Sequence, residues 1–153
     1  MYRIHRGKTI VHNLSRLGVI TAVLAALSLP ATAQATPGGP GVTAKLIAQT
    51  TVGNRDYVLR EITIPPGQGT GWHHHDGTLY GYVKQGTLSH FDATCASDGV
   101  YPKGSSIQEP SGADHVHIGQ NRGTTDVVLE VLYVLPHGAP FAQDAADPGC
   151  DFE

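Results

Sequence analysis

The feature that most constrains this chain is its punctuation. From residue 42 onward, short runs rich in Val, Ile, Thr and Tyr are repeatedly cut by Gly, Pro, Asn or Asp. The runs are VTAKLIAQT (42–50), DYVLREITI (56–64), TLYGYVKQ (78–85), TLSHFDA (87–93), GSSIQEP (104–110), DHVHIG (114–119) and DVVLEVLYVL (126–135). Between them stand turn formers such as PPGQG (65–69), QG (85–86), ASDG (96–99), PSG (110–112) and NRG (121–123). No run sustains a helical period, and the residue types suit a pleated, half-buried surface. Short strands at regular spacing predict an all-β sandwich or barrel. The stretch from 136 to 153, PHGAPFAQDAADPGCDFE, reads as coil that wraps the barrel.

The N-terminus is of another kind. Residues 1–16 carry Arg3, Arg6, Lys8 and Arg16 and no acid, and an uncharged apolar stretch of 13 residues (17–29) follows. Small residues at Ala31, Ala33 and Ala35 then offer two A-x-A sites. This order is that of a secretory signal peptide over residues 1–35. The apolar stretch is shorter than the roughly 20 residues a membrane-spanning helix needs. The expected organisation is a signal peptide (1–35), a flexible leader (36–41), a β-barrel (42–136) and a C-terminal tail (137–153). The product would be secreted, with no stable membrane insertion after processing.

All 13 acids but only six of the ten basic residues follow Ala35, so the processed chain would carry a net charge of −7. No basic patch forms, which argues against nucleic acid as a partner. Both cysteines, Cys95 and Cys150, lie in the exported part. An oxidising compartment and an even count favour a Cys95–Cys150 disulfide tying a mid-chain loop to the tail. Unpaired or intermolecular thiols are the alternative. Without a C-x-x-C pair, redox catalysis has no support.

Residues 71–86, GWHHHDGTLYGYVKQG, raise the question of a metal site. Strand residues alternate faces, so His73 and His75 would share one side and His74 the other. The same arithmetic puts His115 and His117 together. Two H-x-H pairs facing the barrel interior would converge, and imidazole is the commonest ligand for Fe, Zn, Cu, Ni and Mn. His90 and His137 have no partner spacing and are read as surface residues.

At this point the sequence resembles a cupin. The first motif of that family, G-x5-H-x-H-x3,4-E-x6-G, is matched by Gly67, His73, His75 and Gly86; the second, G-x5-P-x-G-x2-H-x3-N, by Gly104, Pro110, Gly112 and His115. The resemblance covers about residues 42–136 and implies a double-stranded β-helix, or jelly-roll barrel, with a metal site inside. Two positions depart from the pattern: Leu79 stands where the glutamate is expected and Gly119 where the asparagine is expected. The resemblance therefore implies a reduced ligand set of His73, His75 and His115, which still suffices for a divalent ion with open positions. A metal-free pocket in a degenerate cupin is the other reading.

His117 could supply a fourth nitrogen or hydrogen-bond behind the ligands, and Glu130 could act as replacement carboxylate, base or acceptor. Its charge interrupts the apolar run VVLEVLYVL; the alternative is a solvated residue on the rim. These two are the candidate catalytic residues. The resemblance implies a metal-dependent small-molecule dioxygenase, with a non-catalytic ligand- or metal-sensing module as the alternative and an isomerase or epimerase as a third reading. It also implies a small-molecule partner, and a homodimer through barrel edges.

Overall fold

The computed structural model describes residues 38–152; the expected signal peptide lies outside the described residues. Among the described residues there are ten strands and no helix: β1 (Thr43–Val52), β2 (Arg55–Ile64), β3 (His73–His74), β4 (Thr78–Gln85), β5 (Thr87–Asp92), β6 (Ser97–Pro102), β7 (Ser106–Glu109), β8 (His117–Gln120), β9 (Val127–Pro136) and β10 (Gln143–Asp144). They form two antiparallel five-stranded sheets, ordered β1-β2-β9-β4-β7 and β10-β3-β8-β5-β6. This is the jelly-roll arrangement the motifs imply.

Strand β9 shows how sequence sets the inner face. Val127, Leu129, Val131, Tyr133 and Leu135 are buried, while the residues between them are half-exposed. Strand β2 does the same with Val58, Ile62 and Ile64. These side chains meet Leu79 and Val83 of β4, Leu88 of β5 and Ile107 of β7 in one core between the sheets. Each such residue withdrawn from water contributes roughly 1.5–3 kcal/mol before the entropy of ordering the chain is counted. Gly86 makes the turn from β4 to β5 with φ of 75°, and a Cβ there would lie 2.6 Å from the carbonyl oxygen of Asp126. Only glycine fits such a turn without strain.

A smaller cluster lies on the outer face of the second sheet. Trp72, Phe91 and Ile118 are covered by Phe152, Cys150 and Ala145 of the tail. The Trp72 and Phe152 rings are stacked with centroids 5.9 Å apart. Cys95 and Cys150 are joined in a disulfide, which holds this tail against the sheet.

Three segments differ from the sequence expectation. The stretch 96–99, expected as a turn, runs into β6, which pairs with β5 through Leu88–Tyr101 and His90–Gly99. It is a sheet-edge strand with mostly exposed residues, so it lacks the apolar alternation that marks a strand in sequence. The tail is not all coil, because Gln143 and Asp144 pair with His74 and His73. Strand β3 is only two residues long and is held from both sides, by β10 and by the His73–His117 pairing with β8. Backbone partners far along the chain define these two short strands, and no local pattern announces them.

Candidate metal centre

Three imidazoles come together inside the barrel. His73 opens the short strand β3 and His75 directly follows it, and His117 opens β8 directly opposite His73. One ring nitrogen from each lies within 4.8 Å of the others. His75 and His117 are buried, at 2% and 4% exposure. Each ring is oriented by a main-chain carbonyl: His73 Nδ1 lies 2.8 Å from the oxygen of Gly71, His75 Nδ1 2.8 Å from that of Phe141 and His117 Nδ1 2.7 Å from that of His115. A carbonyl only accepts, so all three Nδ1 atoms carry the proton and all three Nε2 atoms present a lone pair. That is the tautomer a metal-binding imidazole needs.

The carboxylate missing from the first motif is supplied from another strand. Glu109, the last residue of β7, pairs in register with Leu79 of β4, the position where the glutamate is expected. Its Oε2 lies 3.1 Å from His75 Nε2 and 3.6 Å from His117 Nε2. These are ion-pair distances without hydrogen-bond alignment, since both Nε2 atoms are buried and have no hydrogen-bond partner. A fourth imidazole completes the group. His90 of β5 is 4% exposed, its Nδ1 lies 2.6 Å from Asp98 Oδ1, and its Nε2 lies 3.6 Å from Glu109 Oε1. His90, Glu109 and His117 form a second set with metal-ligating geometry that shares His117 with the first.

The electrostatics hold His73 and Glu109 in ligating form. Burial first, then the neighbouring His117 and His75, push the His73 pKa down to about 3, so its ring stays neutral. Burial alone would raise the Glu109 carboxyl, but His117, His75 and His90 outweigh it and hold the pKa well below the ordinary value. Burial likewise disfavours protonation of His90, yet Glu109 and Asp98 overcome it and raise its pKa. Orphaned buried nitrogens are costly. A divalent cation would take up the lone pairs of His73, His75 and His117 and the Glu109 charge together, so the donor set fits such an ion.

The other candidates lie elsewhere. His115 stands outside the cluster: its side chain is 45% exposed and its Nε2 is 3.9 Å from Asp114. Strand β8 begins only at His117, and residue 115 sits in a turn closed by its N–H to the Gly112 carbonyl, so face alternation does not extend back to it. His117 takes the place expected of His115. Glu130 projects from the outer face of β9, where its carboxylate lies 3.4 Å from Lys84 Nζ; the buried odd-numbered residues of that strand put it on the opposite side from the cavity. His90, expected at the surface, is buried in the cluster. Sequence reasoning passed over Glu109 as well. In both cases a parity signal existed: Leu88–His90 and Ile107–Glu109 each follow a core residue by two positions.

A cavity of about 300 Å³ opens onto the cluster, walled by apolar residues including Ile62, Leu79, Leu129 and Val131. Burial pushes the phenol of Tyr133, another wall residue, up to about 12, against the opposing effect of Arg60.

No protein-family description matches the chain, and no curated protein matches it by sequence. Solved structures do resemble it. A cupin-like protein from Thermotoga maritima superposes with a TM-score of 0.60 at 19% identity, covering 74% of this chain and 87% of that one. A protein with a double-stranded β-helix domain from Klebsiella pneumoniae gives 0.56 at 20% identity, over 72% and 84%. The polyketide cyclase RemF from Streptomyces resistomycificus gives 0.50 at 18% identity, over 71% and 84%. The two facing sheets and these superpositions agree on the fold: the chain has the double-stranded β-helix, or jelly-roll, architecture.

Proposed function

We propose that this chain is an exported cupin that binds a divalent first-row metal ion on His73, His75, His117 and Glu109 and uses it to act on a small molecule. One observation carries the reading: three imidazoles are locked by main-chain carbonyls with their Nε2 atoms turned to a common point beside a partly buried carboxylate. Three neutral nitrogens and one anion leave a divalent ion a net positive charge and open positions, and it would supply Lewis acidity there. The residues of the chain do the rest. Gly71, Phe141 and His115 fix the rings through their carbonyls. Glu109 offsets the positive charge, and Ile62, Leu79, Leu129 and Val131 give the cavity an apolar wall. His90, held by Asp98, stands beside Glu109 with a free Nε2.

Within that reading the favoured activity is a small-molecule dioxygenase. The disulfide between Cys95 and Cys150 is compatible with an extracellular location and supports export. The test is to recover the processed chain from its native compartment and measure its mass, its metal content and its O2 uptake on a panel of small substrates. A mass for residues 36–153, stoichiometric iron and substrate-dependent O2 uptake are expected. Stoichiometric metal with no turnover on any substrate would turn the reading to a non-catalytic metal- or ligand-sensing module, and a chain without metal would refute it.

A further inference from the structure

Arg60 is out of place by the rules that built its strand. On β2 it shares parity with Val58, Ile62 and Ile64, all buried on the inner face, and it lines the same cavity as the histidine cluster. A guanidinium is always charged and costly to set among apolar walls without a partner. Among the described residues, no carboxylate forms an ion pair with Arg60, and Glu109 is held among the imidazoles at ion-pair distance. Instead Arg60 Cζ lies 4.2 Å from the ring centroid of Phe141 and 5.7 Å from that of Tyr133. These ring contacts and a side-chain hydrogen bond with Tyr133 engage only part of the guanidinium, whose five N–H donors leave others for a planar anion, which Arg recognises in bidentate fashion.

The same two rings connect Arg60 to the cluster. Tyr133 packs edge-on against His75, with centroids 6.0 Å apart, and Phe141 supplies the carbonyl that orients His75. A molecule entering this cavity therefore meets a fixed positive charge, apolar walls and the imidazoles with Glu109.

We propose that the cavity takes a small monocarboxylate with an apolar body, its carboxylate on Arg60 and its chain against Ile62, Leu129 and Val131. This deepens the proposed function and rests on it for what the far end of the ligand meets; the Arg60 contact itself needs no metal.

The test uses the processed full chain, cobalt-loaded and metal-free, titrated calorimetrically with 4-methylpentanoate and with its neutral amide. The wild type is expected to bind the acid at least about ten-fold more tightly than the amide, the size of one charge-assisted contact. Arg60→Gln should lose that preference while keeping cobalt stoichiometry and melting temperature, and Arg60→Lys should retain part of it. Equal binding of acid and amide by the wild type, binding of neither, or an undiminished preference in Arg60→Gln would overturn the proposal. If Arg60→Gln fails to fold, the acid–amide comparison in wild type and Arg60→Lys decides. An Arg60-dependent preference in a chain that takes up no cobalt would uphold the anion site and sink the metal reading; cobalt uptake without the preference would do the reverse.

Discussion

Two carboxylates in this molecule, Asp56 and Glu109, each meet histidine, and they are built in opposite ways. At one end of the barrel Asp56 is fully answered: its Oδ1 lies 2.6 Å from the Thr51 hydroxyl and 2.9 Å from His137 Nδ1, and its Oδ2 accepts the Gly138 N–H at 2.9 Å. Inside the barrel Glu109 faces His75, His90 and His117, and all three Nε2 atoms lack a hydrogen-bond partner. A closed set of donors and acceptors is how a fold fastens its own corner, here joining β2 to the turn after β9. An open set of lone pairs around a buried charge costs stability in isolation and makes sense as a receptor. Both clusters combine an acid with histidine, and satisfaction of the polar atoms tells them apart.

The largest effects should come from breaking the open cluster. His75→Ala and Glu109→Gln are each expected to weaken metal affinity by more than about 100-fold, measured by competition with a chromophoric chelator. Asp56→Asn and His137→Ala, in the closed cluster, should leave that affinity unchanged. Equal losses from both clusters would erase the distinction.

The next effect tests whether the open cluster depends on the tail. The Cys95–Cys150 bond closes a separation of 55 residues, and its loss in Cys150→Ser should lower unfolding stability by about 2–4 kcal/mol in denaturant titration. Metal stoichiometry should survive, because the pairing of Gln143 and Asp144 with His74 and His73 and the hydrogen bond from the Ala145 N–H to the Trp72 carbonyl still anchor the segment beyond Phe141.

A smaller effect belongs to the closed cluster. Hydrogen bonds from Thr51, Gly138 and His137 lower the Asp56 pKa from 3.8 to about 2. A carboxyl whose pKa is depressed on folding stabilises the fold above its unfolded value and loses that contribution as pH falls through the folded one. Asp56→Asn should therefore be less stable than wild type at neutral pH, and the gap should narrow as the pH is lowered from about 4 to about 2, read from melting temperatures. A gap independent of pH would contradict this account of Asp56. The smallest effect is expected at Lys84, which pairs with Glu61 and Glu130 on the exposed face of the first sheet. Lys84→Ala should leave the melting curve unshifted within error, since exposed pairs are screened by water.

Much of the architecture was legible because strand alternation is a local property. The pattern of β9 and β2, the glycine at the β4–β5 turn and the motif spacing around His73 and His75 all lie in short windows of sequence. The site was only half legible because it is assembled across strands. Glu109 lies in the variable spacer of the second motif, and only the pairing of β7 with β4 sets it beside Leu79. His115 fits the motif spacing, but the chain is still turning there and the strand starts two residues later. His90 lies in a strand covered on both faces, with Phe91 packed under Phe152 of the distant tail, so its parity with Leu88 marks the inner face only once the fold has put Leu88 in the core.

The central claim is that His117, and not His115, completes the metal centre. Cobalt titration followed by visible absorption tests it most directly in wild type, His117→Ala and His115→Ala. Alanine at 115 keeps the main-chain carbonyl that orients His117, so this variant should bind one equivalent with the wild-type spectrum, whereas His117→Ala should lose tight binding. Tight wild-type binding in His117→Ala together with its loss in His115→Ala would contradict the account.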